Sequence, residues 1–223
     1  MENKTNLGLV EHCHAKLKTK YLYGAKGQKV TAAEVKRWAN SYPKYYGNNR
    51  LEKALSWVGQ SATDCSGLIS WYTGKIRSST GYMANAIDSG TINTLPEIMG
   101  LLVWYHGHIG VYIGGGRVIE ARGMDYGVVV TDLEERPWIK WLKCPDIEYT
   151  EYKPIAPITP ESDKASIRWL QWKLNCNGAK LKMDGVLGQK TASEVLSYQK
   201  SKKWKTPKSA TGFWVGKGTI DSL

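Results

Sequence analysis

The sequence holds a single Phe in 223 residues, and its aromatic content comes instead from ten Trp and thirteen Tyr. Such rings line carbohydrate or peptide grooves and serve equally as core, so residue type alone assigns none of them to a site. Cysteine is scarce: Cys13, Cys65, Cys144 and Cys176 stand far apart with no C-x-x-C pair. That excludes a zinc ribbon or a dithiol redox motif and leaves reduced thiols as the expectation. Histidine is as sparse, with four in all. Two flank a thiol in His12-Cys13-His14, but consecutive helical residues point in different directions and cannot converge on one ion, so no metal is expected. No apolar run approaches the ~20 residues needed to cross a membrane. The opening Met1-Glu2-Asn3-Lys4-Thr5-Asn6-Leu7 lacks the basic start and apolar run of a signal peptide. The chain is therefore expected to accumulate in the cytoplasm of the producing cell without inserting in a membrane.

Acidic residues are outnumbered, giving a net charge of +11. From Glu161 onward the balance is 12 − 5 = +7, against 19 − 15 = +4 for the first 160 residues. The basic excess per residue lies mainly in the C-terminal part, where it attracts polyanions. No recognition-helix or RNA-binding signature accompanies it, so nucleic acid is not the expected partner.

The length allows one domain of ordinary size and a small second one. Residues 7–18 read as a helix with Leu7, Val10, His14 and Leu17 on one stripe. Thr31 with Glu34 three residues on reads as the capping box of a second helix, and Cys65 to Tyr72 repeats apolar residues at helical spacing behind Thr63-Asp64. Leu101–Tyr105, Ile109–Ile113, Val118–Ala121 and Gly127–Val130 are β-rich runs separated by glycine turns. Helices followed by an antiparallel meander make an α+β domain over residues 1–147. Pro154, Pro157 and Pro160 mark residues 148–163 as a stiff linker, and two amphipathic patterns over 164–223 predict a small all-α domain.

A cysteine at a helix N-terminus meets the dipole that favours thiolate, next to free amides able to stabilise an oxyanion. Cys65 has that position. Its base must come from the four histidines. His12 and His14 belong to the first helix; His106 and His108 flank Gly107 before an apolar run, and strand periodicity does not choose between them. Glu120, one hairpin on from His108, is a candidate to orient the imidazole. An edge-strand Glu facing water is the alternative.

These stretches resemble the NlpC/P60 cysteine peptidases of bacterial and phage wall hydrolases. Asp64-Cys65-Ser66-Gly67-Leu68-Ile69 resembles the family's D-C-S-G-[FL]-[VI] nucleophile motif, and Gly107-His108-Ile109-Gly110-Val111-Tyr112-Ile113-Gly114 resembles its base motif. The resemblance implies a papain-like fold, Cys65 as nucleophile, His108 rather than His106 as base, and Glu120 as third member, where the family more often carries His, Asn or Gln. Tyr21-Leu22-Tyr23-Gly24-Ala25 is similar to the segment that brings a tyrosine hydroxyl, here that of Tyr21, beside the nucleophile. Asp64 and Ser66, flanking the thiol, are implied to bind substrate. Between Tyr21 and Cys65 lies an insertion with Trp38, Tyr42, Tyr45, Tyr46 and Trp57, expected to wall the groove.

The tail resembles the helical peptidoglycan-binding domain: Ile167–Asn175 is similar to its V-x-x-L-Q-x-x-L-N helix and Asp184–Thr191 to its D-G-x-[FY]-G-x-x-T loop, with Thr191 helping to start the next helix. Together the two resemblances imply a cofactor-free endopeptidase cutting peptidoglycan stem peptides between D-glutamate and a diamino acid, anchored on the wall and drawn to its anionic polymers. With no signal segment, a phage endolysin released through a holin is the expected context. A CHAP-type amidase or endopeptidase shares the Cys-His order, but Asp64 and Gly67 favour NlpC/P60; an inactive wall-binding protein is the other alternative.

Overall fold

Thr5 opens the first helix, its hydroxyl accepting the Gly8 amide at 3.1 Å. The structure, a computed structural model, describes residues 4–205 and 210–223. Residues 1–3, which open the sequence, and 206–209, within the expected tail domain, lie outside that description. Helix α1 (Asn6–Ala15) is shorter than expected because the chain turns at Lys16–Lys18, where Lys18 is left-handed at φ 70°. Its inward stripe is Asn6, Leu9, Val10 and Cys13. The expected stripe through Leu7, His14 and Leu17 is out of phase with this start, and those residues are only half-buried.

The Thr31 capping box forms as expected: Glu34 N donates to Thr31 Oγ1 at 3.2 Å and Thr31 N to Glu34 Oε2 at 2.9 Å. It starts α2 (Ala32–Ser41), followed by α3 (Pro43–Tyr46) and α4 (Arg50–Leu55). These helices close over an apolar cluster that includes Leu22, Val30, Val35, Trp38 and Tyr46. Beside it, β1 (Lys20–Tyr21), β3 (Ser61–Thr63) and β2 (Lys26–Lys29) form a small sheet in that order, β1 parallel and β2 antiparallel to β3. Strand β3 runs through Asp64 into α5 (Cys65–Thr73), and α6 (Ser79–Ala84) follows.

The expected meander is β5 (Leu102–Tyr105), β6 (His108–Gly114), β7 (Arg117–Ala121) and β8 (Val128–Asp132), each antiparallel to the next. Two strands that the sequence does not announce widen it: β9 (Lys140–Lys143) pairs with β5, and β4 (Asp88–Thr91) with β9, giving the order β4-β9-β5-β6-β7-β8. Asp88-Ser89-Gly90-Thr91 has little β propensity, and its pairing is dictated by the neighbour rather than by its own residues. Cross-strand partners and alternation put Tyr105, His108, Glu120 and Thr131 on one face of the sheet. Ile109, Val111, Ile119 and Ala121, all fully buried, lie on the other. Helix α5 packs on β6 and β7, and α1 on β6 and α5.

The chain divides into an α+β unit, residues 1–150, and a second unit, 151–223. The second contains α7 (Lys164–Cys176), α8 (Gln189–Ser201) and the short α9 (Lys217–Ser222). Part of the segment read as linker belongs to it: Ile158 is fully buried and exchanges backbone hydrogen bonds of 3.0 and 2.9 Å with Val215. Buried Gln171 organises the Asp184-Gly185 turn, donating to Asp184 Oδ1 at 3.0 Å while accepting the Gly185 amide at 3.0 Å. Thr191 does not cap α8, whose N-cap is Gly188; it is buried, within 3.3 Å of Gln171 Nε2.

Candidate active site

Cys65 is the first residue of α5, and the cap of that helix is its neighbour Asp64. One carboxylate oxygen accepts the Gly67 amide at 2.6 Å and the Ser66 hydroxyl at 3.0 Å. The other accepts the Gly24 amide at 3.0 Å, and Lys26 Nζ reaches both oxygens at 2.9 and 2.8 Å and Ser66 Oγ at 3.1 Å. Asp64 thus ties α5 to the loop between β1 and β2. Asp64 and Ser66 are both buried, and their polar atoms face Lys26 and the helix start. Gly67 is required by the same closeness: a Cβ there would stand 2.3 Å from the Ala25 carbonyl oxygen.

The Cys65 thiol is buried, and the backbone amides of Ser66 and Ile109 favour its ionised form. Ile109 follows His108, so the nucleophile candidate meets β6 at its first residues. Burial and then the Asp64 charge push the thiol up to about 12, opposed by those two amides and by Lys26. Cys65 therefore rests as a thiol, and a nearby base must take its proton before it can attack. Tyr21 lies beside it; burial first, then Cys65 and Asp64, keep its phenol protonated.

His108 Nε2 is 2.6 Å from Glu120 Oε2. Glu120 is not an edge residue facing water: β7 runs between β6 and β8, and the side chain is fully buried. Its other oxygen accepts the Thr131 hydroxyl at 2.8 Å and lies 3.1 Å from Arg136 Nε. Burial alone would raise its pKa, but His108, Thr131 and Arg136 outweigh that and hold it below the ordinary carboxylate value. The imidazole stacks on Trp138, centroids 5.6 Å apart at 20°, and leans on Tyr105 at 5.2 Å. Gly110 makes this possible, since a Cβ there would meet Val118 at 2.7 Å and Trp138 at 3.0 Å. Burial raises the Tyr105 phenol above its ordinary value, opposed by the Arg136 guanidinium.

Residues 45–145 match the NlpC/P60 family model. The NlpC/P60 match takes in Cys65, His108 and Glu120 but begins after Tyr21 and Lys26. No curated protein matches the chain. Among solved structures, the P60 domain of a Mycobacterium avium subspecies paratuberculosis antigen is similar at 19% identity, covering 65% of this chain and 96% of that one with a TM-score of 0.43. The peptidoglycan hydrolase RipB of Mycobacterium tuberculosis gives 19%, 65% and 66%, with a TM-score of 0.41. NlpC1 of Trichomonas vaginalis gives 17% identity over 62% of this chain, with a TM-score of 0.42. The chain spans 43% of NlpC1 and 48% of its companion NlpC2.

His106 sits exposed in the turn between β5 and β6, its ring against Trp104 at 4.9 Å. His12 lies against Trp71 and Tyr72, both at 5.5 Å, in the packing of α1 on α5. Of the other cysteines, Cys13 and Cys144 are buried, and Cys176 is exposed. Of the five aromatics expected to wall a groove, Trp38 and Tyr46 are buried in the cluster under α2. Tyr42 and Tyr45 are exposed and pack against Tyr23, the Tyr45 ring stacked on it at 3.8 Å. Burial and Tyr45 push the Tyr23 phenol up to about 12, and it also feels Asp64 and Cys65. Lys26, Tyr105, Thr131, Arg136 and Trp138 were not singled out by sequence. Tyr105 was within reach, because a two-residue turn at His106-Gly107 pairs it with His108.

Proposed function

We propose that this chain is a cysteine endopeptidase that cuts the stem peptide of peptidoglycan, with Cys65 as nucleophile, His108 as base and acid, and Glu120 orienting the ring. The observation that carries the reading is the His108–Glu120 pair at 2.6 Å on the strands where β6 meets the Cys65 helix, inside the span that matches the NlpC/P60 model. His108 takes the thiol proton as sulfur attacks the scissile carbonyl. The amides at the start of α5 receive the developing oxyanion. The protonated imidazole then gives its proton to the leaving amine, and water on the same base frees the acyl-enzyme. Glu120, fixed by Thr131, keeps Nε2 engaged so that the other ring nitrogen serves Cys65. The bond between D-glutamate and the following diamino acid is the proposed target. The second unit, with its basic excess, is proposed as the wall anchor that raises local enzyme concentration.

The test is mass spectrometry of muropeptides after digestion of purified peptidoglycan. New D-glutamyl termini with the wild-type chain, absent with Cys65→Ala, are the expected result. Products cut at the muramoyl–alanine amide would move the assignment to an amidase, and a digest equal to that of Cys65→Ala would remove the enzyme reading.

A further inference from the structure

Glu120 carries its charge where water does not reach, since its side chain is fully buried. A carboxylate in that position needs compensation. His108 alone can provide it only by staying protonated, and an imidazolium cannot accept the Cys65 proton. The structure supplies a second cation. Arg136, whose side chain is 18% exposed, places Nε 3.1 Å from Glu120 Oε1, aligned as an ion pair rather than as a hydrogen bond. Its Nη2 donates to the Tyr105 hydroxyl at 2.8 Å, and its guanidinium carbon lies 5.6 Å from the centre of that ring. The two carboxylate oxygens are thus divided, Oε2 to His108 and Oε1 to Thr131 and Arg136.

We propose that Arg136 is a positioning residue of the Cys65–His108 centre, neutralising Glu120 and tying it to Tyr105 so that a carboxylate orients the imidazole as a neutral acceptor would. The inference rests on the peptidase reading of Cys65 and His108. It explains how Glu stands where the resembled family more often has His, Asn or Gln: Glu120 and Arg136 together carry no net charge. Against His108 stand Glu120 from β7 and Tyr105 from β5, while Arg136, from the segment before β9, faces Glu120 and Tyr105, and Cys65 lies on α5, which packs on β6. Trp138 adds only a ring, and Arg122 acts at longer range on Tyr105. Removing the Arg136 cation leaves the Glu120 charge to His108 alone, which favours the imidazolium.

The experiment is an NMR titration of the full-length chain with labelled imidazoles, the His108 signal assigned by its loss in His108→Gln. Arg136→Met is expected to raise the His108 midpoint by about one pH unit, a roughly tenfold stronger hold on the proton. Arg136→Lys, which keeps the cation, is expected to stay near wild type. Arg136→Gln, neutral but able to bond Tyr105, covers the case in which Arg136→Met does not fold and is expected to move with it. An unmoved midpoint in the neutral variants, or equal shifts in the Lys and neutral variants, overturns the proposal. The titration needs no substrate, so it is decided even if the muropeptide digest shows no product; cleavage with an unmoved midpoint rejects the role of Arg136 and leaves the peptidase reading intact.

Discussion

Replacing Asp64 by Asn separates two things that one carboxylate does. The amide oxygen can still accept the Gly67 amide, so the helix cap survives. The charge and one acceptor are lost, which strips Lys26 of its counter-ion and leaves the Gly24 amide facing an NH2 group. The unsatisfied amide costs about 1–2 kcal/mol. The ion pair adds roughly 1 kcal/mol, because Lys26 is one-quarter exposed and can turn to solvent. Urea unfolding is therefore expected to show a loss of about 2–3 kcal/mol. The thiol responds in the opposite sense. After burial, the Asp64 charge is the largest cause raising Cys65 to about 12. Without it the value falls by about 1–3 pH units, and each of these gives a tenfold gain in thiolate. Iodoacetamide alkylation, followed by mass spectrometry in a Cys176→Ser background to silence the exposed thiol, should accelerate about tenfold or more at pH 8. A less stable protein with an unmoved or slower alkylation profile would refute the electrostatic account of Asp64.

Three further outcomes are expected. Gly67→Ala forces a Cβ to within 2.3 Å of a backbone oxygen; the loss, measured by urea unfolding, should be about 1–3 kcal/mol, with hydrolysis reduced because the helix start must shift. Burial, then Lys16, lower His12 from 6.5 to about 4, so the unfolded chain binds its proton first as pH falls. The stability it contributes is complete above pH 6.5 and is lost on acidification toward 4, by at most about 3 kcal/mol; His12→Gln should flatten that part of the stability–pH curve. Gln171→Leu leaves the Gly185 amide without its acceptor; hydrogen exchange at Gly185 should accelerate by the equivalent of about 1–3 kcal/mol, with the α5 amides unchanged.

The parts of the fold that were legible in the sequence are those in which a residue acts on its near neighbours. Thr31 with Glu34, the apolar runs of β5 to β8, and the helix start at Cys65 depend on spacings of a few residues. The phase of α1 was misread because the buried side of its first turn is Asn6, a polar residue whose amide donates to the Met99 carbonyl at 3.0 Å. Strands β4 and β9 were missed because short segments with lysines or glycine gain their pairing from distant partners. In the site, Cys65, His108 and Glu120 follow from motif and hairpin spacing. Arg136 left no such trace: Glu134-Glu135-Arg136 reads as a solvated charge run, and only the folding of that turn toward β7 brings its guanidinium under the sheet.

The clasp at the two ends of the first unit bears on the order in which the molecule is made. Asn6 N donates to the Glu148 carbonyl at 3.1 Å, Glu148 N to that of Lys4 at 2.8 Å, and Thr150 N to Asn6 Oδ1 at 3.2 Å. Residues at the head of α1 are thus locked by residues synthesised some 140 positions later. At about 5–20 residues per second of translation, α1 waits several seconds or more for its partner. During that interval Tyr72 of α5 can already bond to Thr5 at the head of α1, but the clasp that ties the start of α1 to residues 148–150 closes only when nearly the whole unit has emerged.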